Sequence, residues 1–575
     1  MSQFPLSPAI QITEQDRQAY VPATATSIGG YVCAGLNWGP VDQVTQVTSK
    51  TDLATKFGKP NDNNAAWWFS AANFLDYSNN LQLVRAVDAT TFNATSGSST
   101  VLVKNNADYE SKSPLSASVG AWIAKYPGAL GNSLRVVVCD ATASATVYTS
   151  SSWLVGSSGT KFSDLFVRPA TSTQATALGL TANDEVHVVV IDEDGSFTGT
   201  AGTVLEQYPF LSKAVDARNY DGSSNYYVSA INTKSNYVRW ANKPSALATN
   251  WGTALTAIGS SYVTLSTVTA SSLTGGTDPT LASYDASATT SWALFANSET
   301  TNCQLVISGP ASSSTCTVIQ ALADARKDCV AFYSPAQTSV VNAADESTAL
   351  SNVLTYFNST FNVNSTYAVL DSNWKYQYDA YNDKYRWVPC NPDIAGLCAR
   401  VDDTNDAWWS PAGETRGVIK NAVKLAWQPS RTSRDTLYPN RINPVVSLPG
   451  RGILLYGDKT AITKPGAFDS IGVRRLFLVL EAQIGKYAAT NLFEFNDDFT
   501  RSRFVATISN YLDGVQAGRG ILDKKVICDT TNNTNQIINA RQFVGDIYIW
   551  PSKAINAIRL NFIATGGLVS FTELA

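Results

Sequence analysis

Between residues 88 and about 290 the chain changes character, and this interruption limits what the remainder can fold into. The interval is rich in Ser, Thr, Ala and Gly, and its apolar residues come in short runs, such as 134–138 and 185–191, between turn signals. Runs of that length and spacing predict β-sandwich or barrel modules. On both sides the pattern instead alternates strand and helix. Upstream it predicts a strand at 31–34, a Gly39-Pro40 turn and a second strand. A short helix capped by Ser49 or Thr51, a helix over 65–75 and a strand over 81–87 follow. Downstream, strands are expected at 304–307, 328–332 and 367–370, with helices at 318–327 and 344–357. The expected class is therefore α+β and multidomain, with an α/β fold built from both sides of the interruption and β-rich domains inserted in the middle.

A chain of 575 residues exceeds one ordinary core, so three or four domains are expected. Charged residues make up only 15%, against roughly 25% in a typical soluble chain. A surface of uncharged polar groups repels its neighbours weakly, which suits packing against copies of itself; a large β-rich protein of any function would share that composition. The net charge of −4 comes without a basic run, so the counterion-displacing footprint of a nucleic-acid binder is missing. The pairs Arg474-Arg475 and Lys524-Lys525 are expected as surface charges on a helix or turn. The opening MSQFPLSPAIQITEQ has neither a basic nor an apolar signal region, and no apolar run reaches the roughly 18 residues of a membrane span. The expectation is a soluble chain made in a cytoplasm. Eight scattered cysteines without a CxxC pair are expected to be buried free thiols. The N-x-S/T matches at Asn93, Asn358, Asn364 and Asn532 are chance matches if the protein is never secreted.

Catalytic and cofactor patterns are sparse. The single histidine, His187, alternates within the strand-like run DEVHVVVIDED, where a structural role is expected. One histidine cannot build a His-rich metal site, and GxSxG and HExxH are absent. Gly58-Lys59 and Gly485-Lys486 precede Pro and Tyr, whereas a phosphate loop needs Ser or Thr there. Of the carboxylate clusters, Asp192-Glu193-Asp194 reads as a turn after a strand and Asp497-Asp498 as a helix start. No enzyme activity, cofactor or metal is expected, although glycosidase carboxylates pair in space and leave no fixed spacing.

One helix and the two termini carry more information. Over FTRSRFVATISNYLD (499–513), Phe504, Val505, Ile508, Tyr511 and Leu512 form one apolar face. Asp497 or Asp498 supplies the N-cap and Gly514 the stop. Arg503 projects from the opposite face with Ala506, Asn510 and Asp513, while Arg501 lies over the apolar stripe and is expected to leave by the helix end. Arginines there oppose the helix dipole by about 0.3–1 kcal/mol each when exposed. An acidic partner would remove that cost; two solvated arginines are the plain alternative. At the termini, Ile10 and Ile12 alternate with polar residues, as do Ile558, Leu560 and Phe562 before Gly566-Gly567 and a last run holding Val569 and Phe571. Each could close its own domain's sheet or pair with another chain.

The motifs WKYQYDAYNDKYRWVPCNPDIAGLCARVD (374–402), WWSPAGETRGVIKNAVKLAWQPS (408–430), INPVVSLPGRGILLYGDKT (442–460) and FDSIGVRRLFLVLEAQIGKY (468–487) resemble, in this order, the sheath proteins of contractile phage tails, especially the T4-like myovirus branch. LVRAVD (83–88), AKYPGALGNSLRVVV (124–138) and LTGGTDP (273–279) extend the resemblance nearly end to end, with the weakest stretches near 92–120 and 140–185. It implies stacked hexameric rings around a tail tube and contraction without nucleotide. It also implies baseplate and tail terminator partners, no nucleic acid, no membrane insertion, and a place in the virion after assembly in the host cytoplasm. By resemblance, Arg503, Arg501 and Asn510 face the tube, and Ile10, Ile12, Ile558, Leu560, Phe562, Val569 and Phe571 line arms that join neighbouring subunits. The expected domains are an N-terminal arm (1–23), an α/β middle domain in two parts (24–91 and 291–435), an outer insertion (92–185), a second β-rich insertion (186–290), a tube-facing inner domain (436–557) and a C-terminal arm (558–575). A tailocin or secretion-system sheath, a static tail or capsid protein, and a β-rich carbohydrate enzyme, the last on its 14 Trp and 25 Tyr, are the alternatives.

Overall fold

The computed structural model describes residues 27–140, 148–149, 160–171, 173–179, 183–243, 250–259, 261–265 and 268–556. Their contacts divide into two compact units, one holding 27–400 and 412–463, the other 401–411 and 464–556.

The first unit is organised by a seven-stranded sheet. From edge to edge it runs Ile442–Asn443, Ala368–Asp371, Val330–Tyr333, Leu305–Ile307, Gly29–Ala34, Leu81–Ala86 and Thr45–Val47. All neighbours are parallel except the last pair. Parallel strands covered on both faces read as unbroken apolar runs, and Gly29–Ala34 and Val330–Tyr333 are buried throughout. The two expected halves of the α/β domain thus meet in one sheet, Tyr31 pairing with Ile307 on one side and Leu83 on the other. Ser49 caps the helix Lys50–Phe57 by accepting from the Asp52 amide. The helix Ser313–Arg326 starts earlier than its apolar periodicity predicts, because Ser312 accepts from the Thr315 amide. The C-terminal edge also differs from expectation: Ile442 pairs with Leu370, and the hairpin of Val445–Leu448 and Gly452–Leu455 belongs to this unit. The boundary falls at 463/464, not at 436.

One sheet spans the two expected insertions. Its four-stranded sheet orders Thr203–Ser212, Glu185–Asp192, Leu134–Asp140 and Thr269–Ser272. Leu134–Asp140 pairs with Glu185–Asp192 along its whole length, from Leu134↔Asp192 to Asp140↔Val186, so the expected boundary at 185/186 would split a sheet. Successive side chains face opposite ways: Val136, Val188 and Val190 enter one core, while Val137, Cys139, Val189 and Ile191 enter another with Phe162 and Phe166. The chain enters and leaves through adjacent bridges, Phe92↔Thr277 and Thr95↔Thr274. Below them Asp88 accepts from Thr90, Thr91, Thr280 and Ser283. Buried Arg85 donates to the carbonyls of Leu36, Gly39 and Pro127, tying insertion to sheet.

In the second unit, the helices Ile471–Ala489 and Asp498–Ala517 pack with the antiparallel strands Ile521–Ile527 and Asp546–Pro551. Their core joins Leu476, Leu480, Phe504, Ile508, Leu512, Val515 and Ile521. Arg474 and Arg475 are buried, contrary to the surface role expected of them. Arg475 donates to Asp402 at 2.7 Å, with both side chains 4% exposed, and Arg474 reaches Glu481 at 3.2 Å. Lys524 and Lys525 lie in a strand, and Lys524 pairs with Asp513 at 2.7 Å.

Candidate assembly surface

Helix Asp498–Ala517 begins where the sequence places it. Asp497 is the N-cap, its carboxylate accepting from the Thr500 amide at 2.8 Å. That bond favours the ionised form and holds its pKa below the usual carboxylate range. Gly514 does not end the helix, which continues to Ala517. A glycine inside a helix costs about 1 kcal/mol relative to Ala, and burying Val515 among Leu512 and Ile521 offsets it. Phe504, Ile508 and Leu512 are buried as expected; Val505 and Tyr511 are only half-buried, and Thr500, Arg501 and Thr507 share the inner face.

The three expected tube contacts separate into two kinds. Arg503 and Asn510 are exposed on the outer face with Ala506 and Asp513. Arg503 is steadied locally, its guanidinium 3.3 Å from the Asn491 amide oxygen and 5.9 Å from the Phe499 ring centre. Arg501 turns to the helix N-terminus, as its stem position requires, but is buried there at 5% exposure. It donates to the Asn496 carbonyl and side chain and to Asp498. Its charge is thus used within the fold, which corrects the expectation of a free contact residue. The expected arm residues Ile10, Ile12, Ile558, Leu560, Phe562, Val569 and Phe571 lie outside the described residues.

Two features of this unit escaped the sequence reading. Among the described residues the hairpin Ile521–Ile527/Asp546–Pro551 is a sheet of two strands, and no described strand pairs with either outer edge. Unpaired edges are templates for another strand. Between the two helices, Leu492, Phe493 and Phe495 are 66%, 106% and 83% exposed, and Phe499, in the first turn of the second helix, is 72% exposed. Phe493 adopts φ 69°, a left-handed conformation costly for a bulky residue. The alternation Phe-Glu-Phe in an interhelical loop was the available signal. A third surface lies in the first unit, where Tyr376 faces Trp387 and Tyr378 faces Tyr385 across Trp374–Asp379 and Lys384–Pro389.

The single histidine and the cysteines are held inside the fold. His187 is fully buried, its ring 4.2 Å from that of Phe166 and nearly parallel to it. Nδ1 accepts from the Phe210 amide at 3.2 Å, leaving Nε2–H for the Arg168 carbonyl at 3.0 Å. Burial lowers its pKa to about 4, keeping the ring neutral. All eight cysteines are buried free thiols. Among the described residues no cluster of three or more His, Cys, Asp or Glu side chains is placed to hold a metal ion, and no helix is long and apolar enough to cross a membrane.

Among the described residues the surface offers contact chemistry: strand edges with no described partner strand, exposed aromatic rings, and a helix face of arginine and amide. Family comparison gives that chemistry a context. Residues 31–86 match the tail sheath protein Gp18 domain III N-terminal region, 287–461 the phage tail sheath protein central domain, and 463–565 the phage tail sheath C-terminal domain. The chain belongs to the phage tail sheath protein family. It is 32% identical to the tail sheath protein of Enterobacteria phage T4 and 32% to that of Vibrio phage KVP40, in each case over 99% of both chains. The sheath tail protein of Desulfitobacterium hafniense shares the fold over 94% of this chain and 96% of its own, with a TM-score of 0.52 and 11% identity. That of Listeria innocua does so over 92% and 96%, with a TM-score of 0.51 and 10% identity.

Proposed function

We propose that this chain is the repeating structural subunit of a contractile phage tail sheath, a virion component assembled in the host cytoplasm. Copies form hexameric rings stacked helically around the tail tube, bounded by baseplate and tail terminator. Contraction is a rigid-body switch between two packings and needs no nucleotide, nucleic acid or membrane insertion. Within a family member of this length, the observation that carries the reading is the two-stranded hairpin with both outer edges open among the described residues. Terminal arms from neighbouring copies would complete it, through the alternating segments at 9–13 and 558–562. At about 0.5–1.5 kcal/mol net per backbone hydrogen bond, an arm making several such bonds gains several kcal/mol before ordering costs. Arg503 and Asn510 are proposed to face the tube.

Electron microscopy of the purified chain tests the proposal, with hollow cylinders as the expected product. Deleting residues 1–18, or everything after Ala557, should leave a folded subunit that builds none. Normal cylinders from either truncation would remove that arm from the mechanism, and steady monomers from the full chain under all conditions would remove the sheath reading. Arg503→Glu should reduce co-sedimentation with preformed tubes while thermal unfolding stays within a few tenths of a kcal/mol, as for an ordinary exposed site.

A further inference from the structure

The geometry points to a direct contact between copies in which the loop 491–497 of one subunit docks on the outward face of the sheet 374–389 and 424–425 of another. It rests on the self-association proposed above and names two surfaces that the arms do not use.

The loop presents Phe493-Glu494-Phe495, two exposed rings flanking a carboxylate. Glu494 makes no ion pair among the described residues. The receiving face is its counterpart. Tyr376 and Trp387 are cross-strand partners with ring centres 4.7 Å apart. Lys424 lies beside Tyr376 in register and places its ammonium 4.8 Å from the Tyr376 ring centre and 5.6 Å from that of Trp387. Lys424 likewise has no carboxylate partner among the described residues. Aromatic–acid–aromatic thus meets aromatic–base–aromatic.

The exposed phenylalanine rings of the loop are costly to leave in water. Contiguous exposed apolar side chains of this kind mark interaction sites, and desolvating a lone charge is tolerable only where an opposite charge meets it. The rings on the receiving sheet stand against one another, Tyr376 and Tyr385 within 16° of parallel. They offer edges and grooves rather than a flat face, which suits inserted phenylalanine rings. In the stacked assembly proposed above, each copy gives its loop to one neighbour and receives a loop from another, which makes the contact heterologous; a closed two-fold pair would give linked dimers and no ladder. Heterologous contacts propagate into rings or helices. A second copy of this chain is therefore the occupant.

The test uses the full chain carrying Phe495→Cys and Tyr385→Cys, singly and together. The native cysteines are all buried, so mild oxidation should act on the new pair, which bonds only if the Cα atoms approach within about 7 Å. The double variant should give a ladder of linked chains from assembled cylinders. An equimolar mixture of the single variants should give dimers, and each single variant alone none. In parallel, Glu494→Lys should raise the concentration needed for assembly by about 10-fold or more, and adding Lys424→Glu should recover most of it. Cylinders that form normally but give neither ladder nor mixed dimers overturn the contact while leaving the sheath reading intact. A Glu494→Lys defect confined to tube binding, with no rescue by Lys424→Glu, overturns it in favour of a tube contact. If the unmodified chain forms no cylinders, the mixed single variants still decide in concentrated solution: dimers support the contact and their absence overturns it.

Discussion

Replacing Lys375 by Met should loosen the strand that carries the aromatic face, and the cost depends on pH in a definite direction. Lys375 and Asp393 are both 0% exposed and 2.8 Å apart. The ammonium also donates to the Lys420 carbonyl at 3.0 Å, and Asp393 accepts from the Tyr77 hydroxyl at 3.1 Å. The second Asp393 oxygen is buried without a hydrogen bond. Removing one member of a buried pair costs about 3–5 kcal/mol, because the other charge stays buried and unmatched. Asp393 can escape by taking a proton, and burial already raises its pKa. A carboxyl raised in the fold binds more protons folded than unfolded, so stability falls as pH rises from the unfolded value near 4 toward the folded one. Without Lys375 that window widens, and the penalty at pH 8 should exceed the penalty at pH 5. Two units and an insertion leave no single global free energy, so the readout is hydrogen exchange of amides 374–389. A loss of about 3 kcal/mol corresponds to more than 100-fold faster exchange wherever local opening governs. Lys375→Met with Asp393→Asn should recover about 1–3 kcal/mol relative to the sum of the single changes. Unchanged exchange in Lys375→Met at both pH values, or strict additivity in the double variant, would refute the reasoning.

Asp371, fully buried and accepting from Ser334 Oγ and the Asn373 amide, is pushed up by burial to about 8. Its neighbourhood should therefore lose stability by up to about 1.4 kcal/mol per pH unit between pH 4 and 8. Asp371→Asn should flatten that slope in exchange of amides 368–373. His187 works in the opposite sense: held down at about 4 by burial, it should cost the insertion about 3 kcal/mol as pH falls from 6.5 to 4. His187→Phe should remove this acid sensitivity from the local exchange. Replacing 93–276 by a short flexible linker should leave the seven-stranded sheet folded, read by near-ultraviolet circular dichroism, because entry and exit are adjacent bridges. Excising 92–185 alone should cause aggregation, since it removes Leu134–Asp140 from the middle of its sheet.

How much of this was legible depends on how far apart the causes lie in the chain. The strand Leu81–Ala86, the Ser49 cap and the Asp497 cap are local patterns, and the structure has all three. The 185/186 boundary failed because strand pairing leaves no mark in composition; Val136 meets Val190 across more than fifty residues of loop-like text. Arg474 and Arg475 looked solvated because the Asp402 carboxylate that accepts Arg475 lies seventy-three residues upstream. Gly514 carried a real stop signal, overridden by the packing of Val515. Arg501 was placed correctly on its helix, but the Asn496 group before the N-cap and the Asp498 carboxylate in the first turn, which together take up its charge, are not revealed by periodicity.

The distribution of charge and aromatic surface bears on how such a subunit would work. Lys213–Asp140, Lys375–Asp393 and Arg475–Asp402 are each at most 4% exposed, while the Phe493 and Phe495 rings stand in solvent. Buried ion pairs are a poor way to gain stability, since well-packed apolar side chains of similar size do as well or better. What they can supply is register: a charge with one acceptable partner forbids the shifted packings that interchangeable methyl groups would tolerate. Our hypothesis is that the pairs keep each unit rigid, so that a change of packing between copies is taken up at their contacts. Bistable switching requires stiff bodies and exchangeable surfaces. Apolar rings suit the exchangeable part, because burial is non-directional and can be satisfied by more than one neighbour. The double variant at Lys375 and Asp393 separates the two roles. If it regains protection against exchange yet builds irregular cylinders, the pair specifies register; if its cylinders are regular, rigidity comes from the apolar core alone.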